Sequence, residues 1–527
     1  MRDFKRSALV CLLAGFVWLS VARGQGAGAA EWVTNGFDAQ RSGWQKNESK
    51  ISPSSVKNFQ LLWTYKTDNK RLGLAGLLEP LILSGVSTPD GPKELAIVAG
   101  SSNTLTAIDA VTGRMVWHKT FGWLSSDPQT AETPISFICE DAETASPVAN
   151  AAGSNPRVVY TMTSDGYVHS VNAATGEDVK NAIQVSPHAY IKANGLNLYK
   201  NMIYTISGQG CGSPGGGRNP NTVYAADLET GQTTQMQPGQ SGMWGVAGVA
   251  IGSDGNVYAE TGDGAYDAAS KRLSTSVLKV DPATDQILDY FTPTNHEWLT
   301  ERDMDMNYTP SIFNYKGREL LIASGKEGRY YLLDTKTMGG ANHETPLYKT
   351  ALISNVNVNF QTEGSWGSGA TWEDKTGTRF YVAPIGGPLN PEVKFPTSYG
   401  PIPDGSTVSL KLAEVNGKLE LVPVWVSVNM VTAETPVIAN GVVFALAAGE
   451  FTGQGHDGGN GGLWTAQERV DRSTPAILYA LDGQTGKVLW SSGHEIGSFL
   501  HEGGMALANG KVILGTNDGT VYCFGLR

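Results

Sequence analysis

The chain has 527 residues and a formal net charge of −11, with 40% hydrophobic and 17% charged residues. That acidic balance argues against nucleic acid or an anionic membrane surface as the main partner. The apolar share is enough for a large core, and 64 glycines spread along the chain fit many turns better than a disordered tail.

The first element in chain order is a leader. Arg2, Lys5 and Arg6 precede an apolar run from about Ala8 to Ala22, and Ala27-Gly28-Ala29 fits a small-residue cleavage site. Residues 1–29 are therefore expected to be a secretory signal peptide, which places the chain in the periplasm or outside the cell. The run is short for a membrane span and no second one follows, so no integral membrane segment is expected after cleavage. Cys139, Cys211 and Cys523 remain beyond it, which is no disulfide framework. No C-x-x-C-H occurs, so no covalent haem is expected in this chain.

A repeat fills the rest. "LTAIDAVTGRMVW" at 105–117 returns as "LYALDGQTGKVLW" at 478–490. An alternating strand leads into D-x-x-T-G, where Asp and Thr accept turn amides and Gly tolerates positive φ. A second strand follows with a large Trp to pack against a neighbour. Weaker copies begin at Tyr167, Val223, Val277, Tyr330 and Val408. The turn positions Gly113, Gly176, Gly231 and Asp285 recur at intervals of 63, 55 and 54 residues. That period suits four strands and their loops, and radial repetition of such sheets is a β-propeller. The C-terminal "GTVYCFGLR" holds only the first strand of the unit, and "FQLLWTYKT" at 59–67 holds only the second. Pairing the two ends gives one composite blade and seven internal ones. The expected fold is all-β: an eight-bladed propeller over residues 30–527, closed by its terminal strands.

The repeat A-x-D-x-x-T-G-x-x-x-W resembles the tryptophan-docking motif of the quinoprotein alcohol dehydrogenase family, whose enzymes use pyrroloquinoline quinone (PQQ) and a Ca²⁺ or lanthanide ion. The likeness extends from "RSGWQKNESKISPSSVKNFQLLWTYKT" to "EGGMALANGKVILGTNDGTVYCF". It implies a site on the ring axis. "MWGVAGVAIGSDGNVYAETGDG" resembles the stretch beginning with the Trp that stacks under the quinone, here Trp244, and places Asp263 at a metal-ligand position. "NHEWLTERDMDMNYTP" resembles the segment of the catalytic base. Asp303 is the candidate base and Asp305 a second metal ligand, both expected on one face of a strand. Lys326 falls where relatives place a cation against the quinone. Each position also fits a plain structural role: a packing Trp, an Asp-Gly turn, a solvated strand edge and an exposed turn Lys.

Two departures weigh against full activity. The family's vicinal cysteine pair is missing, leaving Cys139 as the one candidate to face the cofactor, and no Glu occupies 207–221, where a metal-binding Glu is expected. A Cys139–Cys211 bridge is an open alternative. Two functions therefore stand side by side. One is a PQQ- and metal-dependent oxidoreductase that oxidises an alcohol or polyol and passes electrons to a separate acceptor. The other is a non-catalytic envelope scaffold binding protein or carbohydrate. The Gly-rich stretch 449–464 fits either the wall of a binding mouth or a mobile loop. Gly210, Gly212 and Gly215 spell G-x-G-x-x-G, but Pro214 and the following strand pattern exclude a dinucleotide site.

Overall fold

The computed structural model describes residues 29–122, 142–189, 191–208, 222–237, 242–456 and 461–527. Cys139, Cys211, the 210–215 glycines and nearly all of the expected leader lie outside these residues.

Eight antiparallel sheets of four strands form the propeller. Blade one spans Leu81–Thr120, blade two Ala145–Gln184, blade three Lys192–Met236 and blade four Met243–Phe291. Blade five spans Ser311–Lys349, blade six Ala370–Val426 and blade seven Val437–Ser491. Blade eight is composite: Gln60–Lys66 pairs with Thr520–Gly525, from Gln60 opposite Gly525 to Lys66 opposite Thr520. The expected closure by the chain ends is what the structure contains.

The docking Trp explains why the repeats must stand side by side. The Trp63 indole lies against Gly113 of the next blade and donates Nε1 to Ala110 O at 3.1 Å. Trp117 repeats this on Gly176 and Ala173 O at 2.8 Å, and Trp425 on Gly486 and Gly483 O at 3.0 Å. Gly113 and Gly176 have φ of 71° and 77°, and a Cβ on either would collide with the docked ring. Glycine answers both demands at once. The core lies between blades, where Trp32, Ile82, Phe444 and Phe524 join blades seven, eight and one.

Residues 32–45 run across the axis and bond to the innermost strand of every blade. Trp32 exchanges bonds with Ile82 in blade one, and Val33 O accepts from Ala149 N in blade two. Arg41 Nη2 donates to Leu196 O beside blade three's inner strand. Ala39 O, Gln40 O, Ser42 O and Gly43 O accept in turn from Ile251, Ile312, Thr371 and Ile438 of blades four to seven. Gln45 Nε2 donates to Leu507 O of blade eight at 3.0 Å. This segment plugs the channel. Arg41 anchors it from a fully buried position, with further bonds to Thr34 Oγ1, Asn35 O and Val249 O.

Candidate functional site

The inner strands carry side chains to a cavity of about 240 Å³ on the ring axis. In blade after blade the cavity residue precedes the plug contact by four or five positions: Glu434 before Ile438, Gly367 before Thr371, Asn307 before Ile312, Glu502 before Leu507. The cavity therefore sits above the plug, with its walls set by the register of the inner strands.

One wall gathers Trp244, Asp303, Asn307, Lys326 and Trp366. Helix α1 (His296–Thr300) ends in a turn that throws Asp303 into the left-handed region at φ 55°. The chain then continues without regular structure to Tyr308–Thr309, which pairs in parallel with Gly367–Ser368. The expectation of a strand through Asp303 and Asp305 is thus incorrect. Both carboxylates still converge, because the left-handed turn aims Asp303 back at its neighbour. Lys326 Nζ lies 3.1 Å from Asp303 Oδ1 and 2.5 Å from Asp305 Oδ2. Asp305 Oδ1 accepts the Asp263 amide at 2.6 Å. One carboxylate oxygen from each of Asp263, Asp303 and Asp305 lies within 4.8 Å of the others. Lys326 also lies over the faces of Trp366 and Phe360, at 5.5 and 5.6 Å. Glycine makes room for the cluster: a Cβ on Gly262 would strike both Asp305 Oδ1 and Trp244 Nε1.

These contacts separate the three acids. Burial and then the Asp305 charge push the Asp263 carboxyl up to about 7. Burial pushes Asp303 up to about 6, partly offset by Lys326. Burial also works on Asp305, but the Lys326 ammonium and the Asp263 amide outweigh it and hold the carboxyl below its ordinary value. Lys326 is likewise opposed by burial and raised on balance by Asp305 and Asp303. The reading of Lys326 as an exposed turn residue fails, since it is 4% exposed.

The opposite wall was not anticipated from sequence. Glu450 is paired with Arg469 Nη2 at 2.6 Å and His501 Nδ1 at 2.9 Å, and Glu502 with Lys192 Nζ at 3.1 Å. Glu434 faces the cavity but is hemmed in by protein, and burial followed by the Glu450 charge pushes it up to about 8. Arg469 comes from helix α2 (Ala466–Arg472), whose capping box joins Thr465 and Glu468. The signal for α2 was present as T-A-Q-E. An acid closing the apolar run "VVFALAAGE" was the signal for Glu450. Thr452 and Gln454 line the cavity, so part of the Gly-rich stretch is a cavity wall.

Residues 32–182 match the family described as PQQ glucose/ethanol/alcohol dehydrogenase, β-propeller domain. That match covers 151 of the 527 residues, from the axial segment into blade two. This propeller is similar in structure to quinohemoprotein alcohol dehydrogenase ADHIIG from Pseudomonas putida HK5, with 14% identity, a TM-score of 0.61, and coverage of 94% of this chain and 80% of that one. It is similar to the enzyme of the same kind from Comamonas testosteroni, with 16% identity, a TM-score of 0.57 and the same coverages. A europium-containing methanol dehydrogenase matches with 14% identity and a TM-score of 0.59, over 94% of this chain and 98% of that one. No curated protein sequence matches this propeller. Such distant likeness shows the fold alone, so the cofactors must be tested against the propeller's own residues. They fit. Three converging carboxylates give a hard cation the oxygen donors it prefers. Half-buried Trp244 brings an aromatic side chain to the same cavity.

Proposed function

We propose that this propeller is a PQQ- and metal-dependent oxidoreductase acting on an alcohol or polyol. The observation that carries the reading is Asp303 in the axial cavity, pushed up to about 6 by burial and held by Lys326, next to a second and third carboxylate. A carboxylate poised near neutral pH is suited to take a hydroxyl proton. When bound, PQQ would supply the two-electron acceptor and Ca²⁺ or a lanthanide ion would polarise it. Asp263 and Asp305 would hold the ion, Trp244 would stack against the quinone ring, and Lys326 would contact it. Asp303 Oδ1 receives the Lys326 ammonium, which fixes the carboxylate's orientation and leaves Oδ2 to accept the substrate proton. The plug shuts one end of the channel, so substrate enters from the side of the Gly-rich stretch. A leader at 1–29 would deliver the chain to the periplasm or beyond, where a separate carrier would take the electrons.

Titration of the purified chain with PQQ plus Ca²⁺ or La³⁺ tests this. Binding to the folded state alone stabilises it by about 2.7 kcal/mol at a hundredfold excess over Kd, which thermal melting detects. Quinone absorbance should change together with the melting temperature, and Asp305→Ala should blunt both. No shift at saturation would reject the oxidoreductase reading and leave the scaffold reading, which the absent cysteine pair and Glu favour.

A further inference from the structure

Glu260 is fully buried, and no cation pairs with it among the described residues. It sits on the second strand of blade four, Val257–Thr261, opposite Trp244 of the first. Side chains two apart on a strand face the same way. Tyr258 accordingly packs in the same direction, into an apolar seam with Ile312 and Leu321 of blade five. A carboxyl in such a seam is costly, and burial pushes it well above its ordinary value. Its two oxygens serve two different segments. Oε2 accepts the Tyr308 amide at 3.0 Å, and Oε1 accepts the Ser324 amide at 3.4 Å. Asp305 lies three residues before the first of these, and Lys326 two residues after the second. Asp263 follows Glu260 itself by three residues.

We infer that Glu260 is a positioning residue, which holds Asp305 and Lys326 at their distances from Asp263 and Trp244. Its consequence for cation binding rests on the proposal that these carboxylates hold a metal. The acidic cluster straddles the seam between blades four and five, so its geometry depends on how the loops of blade five sit on blade four. Apolar packing has no direction and tolerates a slide. Two hydrogen bonds from one carboxyl do not. The Asp263 and Ala247 amides also cross the seam, to Asp305 Oδ1 and Thr309 Oγ1, but neither reaches the loop of Lys326. A neutral glutamine could not replace the carboxyl. It has one accepting oxygen, and its Nε2 would face a backbone N–H, donor against donor.

Hydrogen exchange on the chain without cofactor gives the first test. The Tyr308 and Ser324 amides should exchange as slowly as those of the blade cores. Exchange at the rate of an exposed turn would overturn the inference with no variant needed. Glu260→Gln keeps the shape and removes one acceptor. In an Asp305→Asn background its cost in urea denaturation should be smaller than in the parent, because the pair it positions is already weakened. Plain additivity would overturn the inference and show that Glu260 only fills the seam. Calorimetric titration with La³⁺ supplies the functional readout. Glu260→Gln should lose roughly tenfold or more in affinity, as groups that orient ligands do. Trp63→Ala, destabilised at the outer strand of blade eight, should lose none. Equal affinity in the parent and in folded Glu260→Gln would overturn the inference. A parent that binds no La³⁺ sinks the metal reading alone, and exchange and additivity then decide the role of Glu260.

Discussion

Lys326 Nζ stands 2.5 Å from Asp305 Oδ2, and the two side chains are 5% and 1% exposed. A buried pair of this kind adds little over an apolar pair, yet removing one partner strands a charge. Lys326→Met should therefore destabilise the chain by about 3–5 kcal/mol. Asp305→Asn should cost less, because Lys326 retains Asp303 at 3.1 Å. Urea denaturation of both variants checks the order, and the reverse order would show that Asp303 does not share the cation.

Metal affinity should rise with pH between about 5 and 8. Cation binding needs ionised ligands. Asp303 and Asp263 hold their protons up to about 6 and about 7, while Asp305 is ionised throughout this range. At the acid end a cation meets only Asp305 ionised, and at the basic end both of its ligands, Asp263 and Asp305, with the Asp303 charge beside them. Calorimetric titration with La³⁺ at several pH values reads the dependence directly. Asp263→Asn should remove the upper part of the rise, and an affinity flat in pH would show that these carboxyls are not the ligands.

Trp63, on the N-terminal strand of the composite blade, docks that blade onto blade one through its contact with Gly113 and its bond to Ala110 O. The indole is half-buried, so Trp63→Ala should cost about 2–3 kcal/mol, below the range for a fully buried ring. Denaturation curves check the magnitude. An effect below 1 kcal/mol would mean that the docked indole adds little to the packing of blade eight on blade one.

The repeat made the ring legible because each blade needs the same hairpin and the same docking contact. It faded where other residues took over the docking. Lys180 stands where a Trp is expected and donates to Leu228 O at 3.0 Å, and Asp289 accepts the Met338 amide at 3.0 Å. Asp285, read as a substitute for the turn glycine, does adopt φ 53°. Most of the candidate site came from resemblance, which brought Trp244, Asp303 and Lys326 to one cavity and Asp263 and Asp305 to its edge. The shape of the site was not readable. Left-handed φ at Asp303 follows from the end of α1 and not from D-M-D alternation. The wall of Glu434, Glu450 and Glu502 draws on blades seven and eight and joins Lys192 of blade three, a closeness that only ring closure creates.

Glu79 ties the plug to blade one and makes folding stability depend on pH. Its Oε1 accepts from Trp32 Nε1 at 2.8 Å and from Gly36 N at 3.2 Å. Burial pushes the carboxyl up to about 8, from an ordinary value of 4.5, against the smaller pull of those bonds and of Arg41. Between these values the folded chain keeps a proton that the unfolded chain has released. This contribution to stability is complete below about pH 4.5 and is lost as pH rises to about 8. Glu79→Gln retains the accepting oxygen and has no proton to lose. The variant should therefore shed less stability than the parent between pH 5 and 8.5, by about 2 kcal/mol or more. Denaturation at the two pH values, compared between parent and variant, isolates this group from the chain's other buried acids. Equal losses in both would show that Glu79 is ionised in the folded chain, and that Arg41 neutralises it across the plug.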